Sequence, residues 1–244
     1  MIKRLSAFLF GIAAYAAFLY SFLYAIGFVG NIVVPKGIDD DGQTPFLSAL
    51  AIDLTLIALF GIQHSVMARP GFKKRWTRLV PEPVERSIFV LCASFCLLLL
   101  FREWRPVSGE LWDFPAGTMS AVLTGLFWTG WLIALVSSFL INHFDLFGLR
   151  QVYLYLRGID YTPVAFRHPA FYKHVRPPLM LGFLIAFWAT PHMSAGHLIF
   201  SLGMTVYIFI GIAFEERDLL KKYGDAYEQY RRQVSMIVPL PRKK

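Results

Sequence analysis

The stretch FEERDLLKKYGDAYEQYRRQV, Phe214 to Val234, decides how the chain is read. An apolar run that begins at His197 stops at Phe214, and the next two residues are the adjacent carboxylates Glu215 and Glu216. A short segment rich in tyrosine and basic residues follows. This is the pattern of a chain leaving hydrocarbon for water, where a charge is costly unless it has a partner. Two carboxylates side by side therefore ask for a cation.

Working outward, four more apolar runs reach about the 20 residues that a bilayer requires: Leu5–Val29, Phe46–Ala68, Val84–Phe101 and Thr118–Asn142. Hydrophobic residues make up 56% of the chain and charged ones 16%, against about 25% charged in soluble proteins; mean hydropathy is +0.52. The composition excludes a soluble domain and predicts an all-α, multi-pass transmembrane helical bundle. A shorter run, Leu179–Thr190, is separated from the last span by Pro191-His192-Met193-Ser194. The expectation is five to six spans, the fifth and sixth forming a tight hairpin. Lys3 and Arg4 precede the first run as they would in a signal peptide, but the run outlasts the usual apolar length and lacks a small-residue cleavage site, so it reads as a true span.

Orientation follows from lysine and arginine. Lys3 and Arg4, the segments Arg69–Arg86 and His143–Arg176, and the tail Arg217–Lys244 hold 21 of the 24, all on one side if the chain crosses six times. Lys36, Arg102 and Arg105 share the other side with Asp39, Asp40, Asp41, Glu103, Glu110 and Asp113. Both termini are therefore expected in the cytoplasm, with a bacterial inner membrane as the location. The net charge of +8 reflects this bias and a basic face on anionic lipid, not nucleic-acid binding. Cys92 and Cys96 lie four apart in one span, too few for a disulfide framework or a thiolate metal site. No internal repeat or linker appears, so residues 1–244 read as one domain, and a transporter, which would show repeats and midplane polar residues, is disfavoured.

The polar residues that need a reason gather at the cytoplasmic ends. Arg176 is followed by Pro177 and Pro178, which suit the first turn of a helix, so the chain enters the membrane just after a fixed positive charge. That charge anchors the helix at the interface or binds an anionic group. Glu215 and Glu216 end the partner helix on the same side and can face it. An ion pair needs one carboxylate; the second is surplus. An arginine with two carboxylates beside aromatic rings suits a zwitterionic ligand carrying a carboxylate, an amine and hydroxyls.

These residues also carry a family resemblance. YKHVRPPLMLG, about thirty apolar residues, then EERDLLKKYGDAYEQYRRQV resembles the membrane methyltransferases of the isoprenylcysteine carboxyl methyltransferase type. Tyr172, Arg176, Pro178, Gly182, Glu215, Glu216, Leu219, Gly224, Tyr227 and Tyr230 match their pattern. Pro177 stands where those enzymes have histidine and Met180 where they have tyrosine, and FRHPAFY, Phe166 to Tyr172, is a near-copy of the motif with no apolar span after it. GIQHSVMARPGFK, ERSIFVL, HFDLFGLRQVYLYLRG and AFWATPHMSAGHLIF extend the resemblance over nearly the whole chain, to the bacterial methanethiol S-methyltransferases and the NnrU-like proteins.

The resemblance implies S-adenosylmethionine as methyl donor and a small volatile thiol, methanethiol, as acceptor. The alternatives are methylation of an isoprenylcysteine carboxylate or a lipid headgroup, or a non-enzymatic membrane subunit. It places the cofactor-binding part at about residues 143–240 and implies contacts from Gln151, Val164, Phe166, Arg167, Tyr172, His174, Arg176, Pro177, Pro178, Leu179, Met180, Glu215 and Glu216. A dry site raises a thiol's pKa, so a base is expected near the acceptor. His64 or His143 is the candidate, with Asp145 or Gln63 orienting the ring and His174 serving binding. No metal is expected, although His64, His143 and Asp145 offer a conceivable ligand set. Asp53, deep in the second span, is expected to have a structural partner, a hydroxyl or a tryptophan. Tyr223, Tyr227 and Tyr230 fall on one helical face and are expected to lie at the membrane surface as a lid. Membrane lipids are the remaining expected partner.

Overall fold

The computed structural model describes residues 1–163 and 169–237. In chain order its elements are α1 (Ile2–Gly30), α2 (Phe46–Ala68), α3 (Pro70–Trp76), α4 (Glu82–Glu103), β1 (Glu110–Asp113), α5 (Thr118–Ile141), α6 (His143–Leu146), α7 (Leu149–Arg157), a 3-10 turn at Ala170–Lys173, β2 (Val175–Arg176), α8 (Pro178–Trp188), β3 (His192–Ser194), α9 (Ala195–Tyr223), α10 (Asp225–Gln233) and β4 (Ser235–Met236).

Among the described residues, α1, α2, α4, α5 and α9 are long and apolar enough to cross a membrane. The protein is accordingly a multi-pass helical membrane protein. Residues such as Leu47, Leu132 and Val206 are exposed along these helices, as they must be where lipid replaces a core. Hydroxyls in the spans bond back to their own helix, Thr129 to Gly125 O, Ser94 to Val90 O and Thr205 to Ser201 O, which satisfies them without water. The short run of the hairpin is α8, of 11 residues. At ~1.5 Å per residue it covers about half of the ~30 Å hydrocarbon layer, so it does not span alone.

The chain divides into two units. The first comprises residues 1–109, 142–165 and 194–197. Here α1 packs on α4 and α7, and α2 packs on α4. At one end the loop between α1 and α2 is fixed to the start of α9: Asp39 accepts hydrogen bonds from Ser194 and Asn31 and lies 3.2 Å from His197 Nδ1. Ala195 N also donates to Gly109 O at 2.7 Å. Burial alone would raise the Asp39 pKa; the hydrogen bonds and charge of His197, with Ser194 and Asn31, win and hold it below the usual carboxylate value. Asp53 is fully buried and accepts the backbone N–H of Arg105 at 2.8 Å, so its described partner is the backbone just past α4 rather than the expected hydroxyl or tryptophan.

The second unit comprises residues 110–141, 166–193 and 198–244. Its core is the antiparallel pair α5–α8. Gly130 and Gly182 face each other: a Cβ on Gly182 would meet Ala134 N and Gly130 O at 2.6 Å, and one on Gly130 would meet Ala186 N at 2.6 Å. Each helix carries a glycine four residues before an alanine, Gly130/Ala134 and Gly182/Ala186, the small-residue spacing that lets membrane helices approach backbone to backbone. Ser201 donates to Phe187 O at 2.8 Å and Trp188 Nε1 to Thr205 at 3.0 Å, closing the α8–α9 hairpin. At the far end of α8, Trp112 Nε1 donates to Thr190 O and Phe114 N to Pro191 O, and β1 pairs with β3.

Candidate active site

In the second unit, the chain approaching α8 forms the 3-10 turn and then β2, which pairs in parallel with β4, Val175 with Ser235 and Arg176 with Met236. The peptide bond between Arg176 and Pro177 is cis, and Pro178 opens α8. Arg176 is buried, and its Nη1 lies 2.9 Å from Glu216 Oε1. The contact is close but not aligned as a hydrogen bond. The paired carboxylates thus divide: adjacent helical residues point about 100° apart, so Glu216 meets the arginine while Glu215 is exposed.

Around this pair stand three tyrosines. Tyr230 Oη donates to Tyr172 O at 2.7 Å. Tyr227, Tyr230 and Val234 form a small core with Leu219, Leu220 and Tyr223. The expected continuous helix is interrupted at Gly224, whose φ of 53° and ψ of −128° suit a residue without Cβ. Tyr223 ends α9, and Tyr227 and Tyr230 belong to α10 and are buried. All three phenols nearest Arg176 are neutral. Tyr230 is pushed up to about 12 by burial, with Arg176 opposing and Glu216 adding. Tyr172 is raised by burial and then by Glu215, and Tyr227 by burial and then by Glu216.

Two polar atoms here bear on a cofactor: Arg176 Nε and Tyr172 Oη are buried without a hydrogen-bond partner among the described residues. Each such group costs about 1–3 kcal/mol, and a ligand bearing a carboxylate and hydroxyls would satisfy both. The donor set therefore fits S-adenosylmethionine. Pro177, Leu179 and Met180 are half-buried and Pro178 is buried, whereas His174 is exposed. The expected contacts at Val164, Phe166 and Arg167 lie outside the described residues.

In the first unit the candidate base residues have the following surroundings. His143 is 4% exposed; its Nε2 lies 2.8 Å from Tyr15 Oη, and Phe18, Phe144 and Phe147 pack around the ring. Burial lowers its pKa, so it is neutral and aromatic-caged. His64 packs on Phe60 and Phe89, and the Arg86 guanidinium stacks on that same Phe89 ring at 4.8 Å while its Nε donates to Leu146 O at 2.7 Å.

Asp145 is engaged by Arg150 at 2.9 Å and by the Tyr161 hydroxyl at 3.3 Å. The Gln63 amide donates to Met67 Sδ, and the Gln151 amide to Asp145 O. The ring orientation expected of Asp145 or Gln63 is replaced by Tyr15 at His143. Among the described residues, the ligand atoms close enough to share a metal belong to Glu110, Asp113 and His192, not to His64, His143 and Asp145.

Three participants escaped the sequence reading: Tyr15, Arg86 and the strand Ser235–Met236. Tyr15 is one aromatic residue in an apolar span and gives no signal. Arg86 follows Glu82 and Glu85 and reads as a boundary charge. The strand had one clue, the apolar VSMIV after a helix of charged residues.

A model of the NnrU protein family matches residues 54–239. The chain is 52% identical over 243 residues to the methanethiol S-methyltransferase of Mycobacterium tuberculosis, covering 99% of each chain. To that of Crocosphaera subtropica it is 48% identical, covering 100% of this chain and 95% of the relative. It is also 31% identical to nurim of Xenopus laevis over 68% of this chain and 61% of that one. No solved structure matches.

Proposed function

Because this chain belongs to the NnrU family, together with the methanethiol S-methyltransferases that it matches along its whole length, we propose that it methylates methanethiol with S-adenosylmethionine, yielding dimethyl sulfide and S-adenosylhomocysteine. The observation that carries this reading is the identity of about half of all positions with those enzymes over 99% of the chain.

When bound, S-adenosylmethionine supplies an electrophilic methyl group on a sulfonium. The buried Arg176 would hold the ligand's carboxylate, and Tyr172, a neutral phenol, would meet a hydroxyl. Glu216 holds Arg176 in place, and the exposed Glu215 beside it would meet the ligand's ammonium. The acceptor must lose its thiol proton as the new carbon–sulfur bond forms. His64 is the candidate proposed to take it, with His143, whose Nε2 faces Tyr15, as the second. Arg86, stacked on the same Phe89 ring as His64, is a cation that would favour a thiolate bound at that histidine. Thiolate and sulfonium cancel each other's charge on reaction, so a water-poor environment accelerates the step.

The positive-inside distribution puts both termini in the cytoplasm, with α8 and α9 together making the last re-entry. Their turn meets the segment that precedes α5, which supports that path. The test is calorimetric titration of the purified protein with S-adenosylhomocysteine, followed by labelled methyl transfer to methanethiol or to a prenylated cysteine. Absence of binding would reject the enzyme reading, and transfer to the prenylated cysteine alone would reject the acceptor.

A further inference from the structure

We propose that the end of the first unit formed by the loop between α1 and α2, remote from His64 and His143, holds a phospholipid, with its phosphate between Lys36 and Arg105 and the ammonium of an ethanolamine headgroup at Asp40 and Asp41. A cavity of about 430 Å³ is lined there by Lys36, Asp40, Asp41, Gln43 and Arg105, among others. Its walls are the residues just past α1, those just before α2 and those just past α4. Three membrane spans end around it, so its depth is that of the lipid headgroups. Phe46 and Leu47, which open α2 two residues beyond the lining Thr44, are exposed at 54% and 76% and offer acyl chains an apolar surface.

The charges select the ligand. Lys36 and Arg105 are the basic residues in the segments that join α1 to α2 and α4 to α5, with Arg102 in the last turn of α4, and Lys36 and Arg105 both line this cavity. Lys36 donates one of its three ammonium hydrogens to Arg102 O at 2.8 Å, and Arg105 reaches Glu103 with Nη2 at 3.1 Å; both retain further donors. The Lys36 pKa is pushed down by burial and then by the Arg105 charge, the condition that an anion between the two would relieve. Asp40 and Asp41, on the same loop as Lys36, are exposed and suit an ammonium that can donate hydrogen bonds.

The cavity walls are fixed. Gly37 N donates to Asp40 Oδ2 at 3.0 Å, Arg105 N to Asp53 at 2.8 Å, and Gly42 lies against the Pro106 carbonyl, where a Cβ would have no room.

The experiment is native mass spectrometry of the delipidated full-length protein in detergent with dioleoyl-phosphatidylethanolamine, -phosphatidylglycerol or -phosphatidylcholine, and with inorganic phosphate. Ethanolamine lipid should be retained over choline lipid, whose ammonium cannot donate. The double variant Lys36→Gln/Arg105→Gln should lose about tenfold in lipid retention, the scale of two partly screened charges, while binding S-adenosylhomocysteine as the parent does. Asp40→Asn/Asp41→Asn should lose only the preference for ethanolamine over glycerol. Equal retention of the three lipids by the parent protein, which requires no variant to fold, would overturn the proposal. So would unchanged retention in the Lys36/Arg105 variant, or inorganic phosphate that displaces the lipid.

Discussion

Replacing Glu216 with alanine isolates the interaction on which the candidate cofactor site rests. Arg176 and Glu216 side chains are 8% and 18% exposed, so neither charge is well solvated and the pair is buried rather than superficial. Removing one partner of a buried pair leaves the other charge uncompensated, at a cost of about 3–5 kcal/mol. Water reaches the Glu216 side more easily, so the lower end applies, about 3 kcal/mol. If that cost falls on the geometry of Arg176, affinity for S-adenosylhomocysteine should drop by roughly a hundredfold, at about 1.4 kcal/mol per tenfold.

Glu215→Ala is the control. Glu215 is exposed, so its loss should weaken the ligand without lowering the thermal midpoint, whereas Glu216→Ala should lower both. The assay is calorimetric titration paired with thermal unfolding in detergent. A Glu216→Ala protein with parental affinity and midpoint would refute the argument, and a Glu215→Ala protein with parental affinity would remove Glu215 from the site.

Four further outcomes are expected. Gly182→Val should prevent close packing of α5 and α8, since even its Cβ would sit 2.6 Å from backbone atoms; loss of the folded monomer on size exclusion checks this. Deleting residues 240–244 should leave activity intact, whereas a chain ending at Gln233, without Val234 and β4, should lose cofactor binding by titration because Arg176 loses its paired strand. His64→Ala should lower kcat several hundred-fold, within the general-base range of about 10²–10⁴, with the deficit shrinking at high pH as thiolate forms unaided; Tyr15→Phe and His143→Ala should act mainly on stability, and a deficit constant with pH would place His64 in a structural role too. Tyr230 stays neutral up to about 12 when folded but ionises near 10 when unfolded, so the unfolded state releases its proton first and stability should fall as pH rises from about 10 toward 12, a slope that Tyr230→Phe should reduce in alkaline unfolding curves.

The sequence by itself determined which segments meet lipid. A span is a local property, about 20 apolar residues without charge, and the five long runs match five helices of the structure to within one residue beyond a helix end. The start of α8 was equally local, announced by Pro177 and Pro178, whereas the break at Gly224 was not read, and the Arg176/Glu215/Glu216 motif was legible because charges at a membrane boundary require partners. What tertiary structure decided was pairing. Which of two adjacent carboxylates meets Arg176 depends on the rotation of α9, which no composition reports, and it is Glu216.

The close crossing at Gly130 and Gly182 needs two helices to be brought together before either glycine has a reason. His143 and His64 look alike in sequence, yet one is caged against Tyr15 and the other packs beside Arg86 on Phe89. The parallel strand pair β2–β4 joins residues 60 positions apart, Arg176 and Met236. Hydrogen-bond partners at that separation are set by the fold around them, and a two-residue strand carries no periodicity from which to read them in advance.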